Sequence, residues 1–230
     1  MTQDTVRDQL RHQLSRQLDD GLLALGLNPD NPARQKLVDY VLLLQKWNRV
    51  YNLTAVRHPE LMIGRHLLDS LSILPWLPSG EFSASAALLK NCTEYDVLDV
   101  GSGAGLPVLP LSIVAPSLRF VSVESSGKKT RFQQQAVQEL DVGNVHIVSS
   151  RIEAVACTAN TIVSRAFTAP ADFLNTVKPF CVNGSTVIIM LGLKKMLPAE
   201  LPSGFTLHEL RELDVPQCDS TRHVAVCKYV

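Results

Sequence analysis

The stretch DVGSGAGLP at 99–107 constrains this chain more than any other, because an apolar run leads straight into three glycines spaced G-x-G-x-G. Gly101, Gly103 and Gly105 permit a tight turn and a close backbone approach that side chains would block. A dinucleotide site would read G-x-G-x-x-G, its third glycine packing a helix whose N-terminus faces a pyrophosphate. Leu106 occupies that third place here. The turn therefore suits a ligand without a pyrophosphate, held where a strand ends.

Downstream the texture alternates. After VLDVG at 97–101 come RFVSVE at 119–124, VHIVSS at 145–150, TIVSRA at 161–166 and STVIIML at 185–191, with helical stretches between them. Such alternation predicts an α/β fold with a mostly parallel, Rossmann-like sheet and helices on both faces. FTLHEL at 205–210 and HVAVCKYV at 223–230 predict an antiparallel C-terminal hairpin on that sheet.

Upstream the period is helical. Val6, Leu10, Leu14, Leu18, Leu22 and Leu25 recur every three or four residues, with Gly26 as a stop. The turn at 28–32 offers Asn31 as cap and Pro32 in the first turn of a second helix through Leu37, Val41, Leu44 and Trp47. A third helix is expected from Pro59 to about Leu74, with Arg65 one turn from Asp69, at pairing distance. The expected organisation is an N-terminal helical region at 1–77, a linker or surface excursion at 78–96, and a cofactor-binding domain at 97–230. With 46% hydrophobic residues among 230, the chain can fill a substantial core.

Lys+Arg and Asp+Glu both count 22, so no overall basic surplus favours a polyanion, and any such partner must meet a local patch. Cys92, Cys157, Cys181, Cys218 and Cys227 include no Cys-x-x-Cys pair, which argues against zinc and for reduced, structural thiols. No metal is expected. Without an apolar leader core or a membrane-length apolar run, the expected location is the cytoplasm, with no membrane contact, as a monomer.

Backbone N–H groups of such a turn can hold the carboxylate of S-adenosylmethionine, leaving Asp99 for its ammonium group. Glu124, at the end of the next strand, can accept both ribose hydroxyls. Two other readings of the same residues stay open: a plain strand-to-helix turn with Glu124 as a capping acid, and a nicotinamide oxidoreductase. Against the second stand the glycine spacing and the lack of a Tyr-x-x-x-Lys or His-based hydride-transfer set.

KWNRVYNLTAVR at 46–57, RHLLDSL at 65–71, DVGSGAGLP at 99–107, SSGKKTRF at 125–132, SRIE at 150–153, SRAF at 164–167 and RHVAV at 222–226 stand in one order along the chain. In these motifs the chain resembles the bacterial 16S ribosomal RNA guanine-N7 methyltransferases of the glucose-inhibited division protein B family. The resemblance implies a class I methyltransferase sheet behind N-terminal helices. It also implies S-adenosylmethionine as cofactor and methylation of N7 of one guanine, guanine 527, in 16S ribosomal RNA or the small ribosomal subunit. Implied cofactor contacts are Gly101, Leu106, Ile152, Glu153 and Arg165, and Glu124 stands where the family has aspartate. Val108 replaces a family glycine, and Leu191-Gly192 replaces a Lys-Gly pair, with Lys194 and Lys195 nearby.

Guanine N7 has an in-plane lone pair and no proton, so in-line transfer needs no general base, and no catalytic residue is assigned. Arg65, His66, Lys128, Lys129, Arg131 and Arg222 are the RNA-binding candidates. Trp47 and Tyr51 could stack a base, although their helical spacing favours core packing. Methylation of another RNA atom or a small molecule, or a non-catalytic cofactor-binding regulator, are the alternatives. Naked RNA and the assembled subunit both stay open as substrates.

Overall fold

The computed structural model describes residues 3–29, 32–78, 95–165, 168–192 and 197–230. Asn31, Cys92, Ala166, Phe167, Lys194, Lys195, the side chain of Val6 and positions 79–94 of the expected linker lie outside them. Helix α1 (Gln3–Ala24) buries Leu14, Leu18 and Leu22. It ends as its sequence predicts: Gly26 adopts φ +72°, Gly26 N–H bonds Leu23 O and Leu27 N–H bonds Leu22 O. Helix α2 (Ala33–Tyr51) buries Leu37, Val38, Tyr40, Val41 and Leu44, and Pro32 stands just before it rather than inside its first turn. Asn52, at φ 47°, closes α2 by donating its N–H to Asn48 O.

The third helix is not one α-helix. It runs as α3 (Pro59–Met62), a π-helical turn (Ile63–Leu68) and α4 (Asp69–Leu71). Widening the turn lets Asp69 N–H bond Gly64 O, five residues back. The Arg65–Asp69 pair that helical spacing would allow does not form, because Arg65 turns outward to Asp219 while Asp69 faces inward to Arg165 and Arg222. Gly64 is obligatory here for a steric reason: a Cβ would stand 2.2 Å from the carbonyl oxygen of Gln217.

Seven strands form one sheet in the order β3-β2-β1-β4-β5-β7-β6. They are β1 (Tyr95–Val100), β2 (Phe120–Glu124), β3 (Val145–Ser149), β4 (Ala159–Arg165), β5 (Cys181–Leu191), β6 (Phe205–Leu213) and β7 (Arg222–Tyr229). The first five are parallel, and the C-terminal hairpin adds antiparallel, with β7 between β5 and β6. Helices α5 (Val108–Val114), α6 (Gly127–Glu139) and α7 (Pro170–Val177) make the crossovers.

Side chains alternate across the sheet with the two-residue period of a strand. Val97, Val163, Ile188, Met190, Val224 and Val226 join one apolar cluster with Leu14, Leu37, Leu44, Leu67 and Phe132. Leu98, Ile162, Val187, Ile189, Ala225 and Cys227 join the other, against Phe173, Leu174 and Val177 of α7. Among the described residues, no helix is long and apolar enough to cross a membrane.

Gly64→Ala is expected to lower the unfolding free energy by about 1–3 kcal/mol, since the new methyl must displace backbone. Urea titration measures it, and an unchanged midpoint would refute this close approach.

Candidate functional site

The strand-to-helix turn is shaped by backbone and clamped from two sides. Gly101, Gly103 and Gly105 all have positive φ, at +73°, +60° and +83°, and a Cβ on Gly105 would stand 2.5 Å from Leu109 Cδ1. Gly105 thus lets α5 close onto the turn. From the helical region, the buried Tyr40 hydroxyl donates to Ala104 O at 2.7 Å, and burial pushes that phenol well above its ordinary range. From α6, the Gln133 amide donates to Gly103 O (2.7 Å) and Ser102 Oγ (2.9 Å), while its Oε1 accepts from Ser122 Oγ (2.6 Å).

Asp99 sits behind the turn, fully buried. One carboxyl oxygen accepts the Val108 N–H at 3.1 Å, and Oδ1 has no hydrogen-bond partner among the described residues. Burial pushes its pKa up to about 7.

A cleft of about 410 Å3 opens at the C-terminal ends of β1, β2 and β3. Gly101, Glu124, Lys129, Ile152 and Glu153 line it, together with Arg151, which the motifs did not single out. Glu124 accepts the N–H of Gly103 through Oε2 and that of Ser126 through Oε1, both at 2.8 Å. It serves as a cap and a cleft wall at once. Lys129, an RNA candidate from sequence, lies inside this cleft, 4.0 Å from Glu124. Asp99, Gly103, Gly105 and Leu106 do not line it.

A second cleft, of about 370 Å3, lies beyond the ends of β4 and β5. Val56, Met190, Leu191 and Gly192 give it apolar walls, and Arg65, His66, Asp69, Arg165 and Arg222 give it polarity. The Asp69 carboxylate, 4% exposed, accepts from Arg165 at 2.9 Å and from Arg222 Nε at 3.1 Å. Arg165 also donates to Arg65 O at 3.1 Å. Of the expected cofactor contacts, Arg165 therefore stands in this second cleft rather than the first.

His66 is buried, not a surface cation. Its Nδ1 lies 3.0 Å from Arg65 O and its Nε2 2.9 Å from the Thr54 hydroxyl, contacts that a neutral ring satisfies with Nδ1 donating and Nε2 accepting. Burial, helped by the Arg165 charge, pulls its pKa down to about 3.

Lys128 and Arg131 lie on the exposed side of α6, outside both clefts. Trp47 packs edge-on against Phe132, and Tyr51, 42% exposed as a residue, tilts over Trp47. Cys181, Cys218 and Cys227 are free thiols. Among the described residues, no group of three His, Cys, Asp or Glu side chains is placed to hold a metal ion. Sequence reasoning missed Tyr40, Gln133 and the structural role of Asp69. Tyr40 did carry a signal, a hydroxyl among the apolar residues Leu37, Val38, Val41 and Leu44 of α2, whereas Gln133 is hidden in a run of three glutamines.

A family model described as rRNA small subunit methyltransferase G matches residues 33–225. The ribosomal RNA small subunit methyltransferase G of Nitrosospira multiformis is 38% identical over 222 residues, covering 92% of this chain and 96% of that protein. Its counterpart in Chromohalobacter salexigens is 44% identical over 201 residues, covering 86% and 89%. Among solved structures, TrmN from Thermus thermophilus superposes with a TM-score of 0.51 at 15% identity, over 73% of this chain and 53% of that one. Magnesium protoporphyrin IX methyltransferase from Synechocystis gives 0.51 at 11% identity, over 84% and 98%. These two likenesses bear on the fold, a Rossmann-like methyltransferase sheet.

Because the folded pKa of His66 is depressed from 6.5 to about 3, the unfolded chain takes up the proton first as pH falls. The stability this contributes is present above pH 6.5 and fades below it, by up to about 1.4 kcal/mol per pH unit. His66→Gln should flatten the pH dependence of urea unfolding between about pH 4 and 6 by that amount. An unaltered slope would contradict a buried, neutral His66.

Proposed function

This chain belongs to the rRNA small subunit methyltransferase G family, and on that premise we propose that it methylates N7 of a guanine in 16S ribosomal RNA, guanine 527 by resemblance, as a cytoplasmic monomer. The observation that carries this reading is a pair of clefts at the ends of neighbouring strands. One cleft is lined by Gly101 after β1, the other by Arg165 at the end of β4, and β1 and β4 are hydrogen-bonded partners. Ligands of open α/β sheets bind where the strand order reverses, as it does between these two strands.

The first cleft fits S-adenosylmethionine, which supplies an electrophilic methyl group on a sulfonium. Its volume of about 410 Å3 falls within the small-molecule range of roughly 300–1,000 Å3. Gly101 offers backbone without a side chain, Glu124 keeps lone pairs beyond the two amides it accepts, and Ile152 and Glu153 form the far wall. The unmet Oδ1 of Asp99 is one more acceptor behind the turn.

The second cleft suits the acceptor guanine. Its apolar walls take a planar base, and two guanidiniums sharing one carboxylate leave a net positive charge for a nucleotide. Guanine N7 needs no deprotonation, so these residues position the base and exclude water rather than move a proton. A neutral His66, hydrogen-bonded at both nitrogens, agrees with that division of labour.

Incubated with radiolabelled S-adenosylmethionine and small subunits lacking the modification, the protein is expected to label a guanine of 16S RNA. Cofactor binding without label in that RNA would sink the proposal. Gly192→Trp tests the acceptor side, because a Cβ at Gly192 meets nothing within 4 Å among the described residues and the ring can occupy the cleft. Methylation should fall by roughly 100-fold, with cofactor affinity unchanged by calorimetry. Undiminished methylation would move the acceptor elsewhere.

A further inference from the structure

A chain with equal numbers of acidic and basic residues grips a polyanion most strongly where its cations lack carboxylate partners. Most of the arginines that looked available do have one. Arg34 pairs with Asp19, Arg65 with Asp219, Arg119 with Asp96, Arg211 with Glu209, and Arg165 and Arg222 share Asp69. By contrast, Arg7, Lys46, Arg49 and Arg131 stand in no ion pair among the described residues, and Lys128 bonds only the carbonyl of Tyr51, at 3.0 Å.

These unneutralised cations share a face. Arg7, Lys46 and Arg49 line a groove of about 530 Å3 between α1, α2 and the C-terminal end of α6, floored by Leu10, Leu42 and Leu43. Two carboxylates reach the same groove. Asp39 is held by Arg11 at 2.5 Å, and Glu139 accepts the Gln135 amide, so four cations face two anions. The exposed face of α6 then carries the charge on through Arg131 and Lys128 to Lys129, inside the first cleft. The half-exposed ring of Tyr51, backed by Trp47 at 5.2 Å, lies beside this path.

We propose that this face of α1, α2 and α6 docks the phosphate backbone of RNA flanking the target guanine, with Tyr51 as a stacking platform for an unpaired base. The inference rests on the RNA-methylation reading above and adds a surface to it. Charge complementarity selects the occupant: a basic, partly apolar groove with an exposed aromatic is what single-stranded nucleic acid binds. Contacts of this kind position the substrate without reading its sequence.

The test compares wild type with Lys46→Ala/Arg49→Ala, Tyr51→Ala and, as a control on another surface, Lys178→Ala, whose ammonium bonds Ser203 O. Affinity for a 16S RNA fragment is measured across a salt series. The double variant should lower the slope of log affinity against log salt by about 1.5, at roughly 0.7–0.9 per lost phosphate contact. Its KM for RNA should rise, with kcat and cofactor affinity unchanged. Tyr51→Ala should weaken binding without altering the slope, and Lys178→Ala should change neither. If wild type methylates the RNA but the double variant keeps its slope and KM, the docking surface is refuted and the function stands. If wild type does not methylate RNA, the function itself fails. Polyglutamate bound as tightly as RNA, with the same loss in the double variant, would overturn the RNA assignment in favour of an acidic protein.

Discussion

A single buried carboxylate holds the molecule's working parts in register. Asp69 lies on the short helix that ends the N-terminal segment, and its two partners stand 96 and 153 residues further along, at the end of β4 and the start of β7. A lone carboxylate in that position would be strongly unfavourable, because burial strips its hydration. Two guanidiniums compensate for that, but only if the helix, the parallel strand and the antiparallel strand converge within hydrogen-bonding distance. The contact therefore selects one docking of the helical region on the sheet. Gly64 on the adjoining π turn, seated against the Gln217 backbone, fixes the same docking sterically.

From that docking follow both clefts. With the helical region seated, the Tyr40 hydroxyl reaches Ala104 and pins the glycine turn from above while Gln133 pins it from α6. The backbone is thus arranged before any ligand arrives, which lowers the ordering cost of binding. The second cleft exists only because 56–69 faces 165, 190–192 and 222, so the wall of the acceptor site and the anchor of the fold are the same residues.

Charge follows a similar logic. Summed over the chain it vanishes, yet the pairs are unevenly placed. Arginines around the second cleft are paired with carboxylates, which makes them positioning groups of fixed geometry. Arg7, Lys46, Arg49 and Arg131 of α1, α2 and α6 have no carboxylate partner among the described residues, and there long-range attraction for a polyanion costs no buried partner.

Much of the fold was legible because it rests on local periods. Short apolar runs marked all seven strands, three-to-four spacing marked the N-terminal helices, and Gly26 and the glycine turn marked ends of elements. The hairpin and the mostly parallel sheet followed. Glu124 and Ile152-Glu153 were legible as cleft residues because strand ends of such a sheet face one crevice. The π turn was not, since Arg65 and Asp69 carry the spacing of an ordinary α-helix and only the backbone of Gln217 makes the wider turn fit. Nor could sequence say that Arg65 answers to Asp219, that Arg165 leaves the first cleft for the second, or that His66 is neutral and enclosed. Those outcomes depend on which charges and backbones meet across more than a hundred residues. A sequence by itself determines periodicity and turn chemistry, which are near-neighbour properties; the partner of a buried charge is decided by tertiary packing, because only there is the competing water removed.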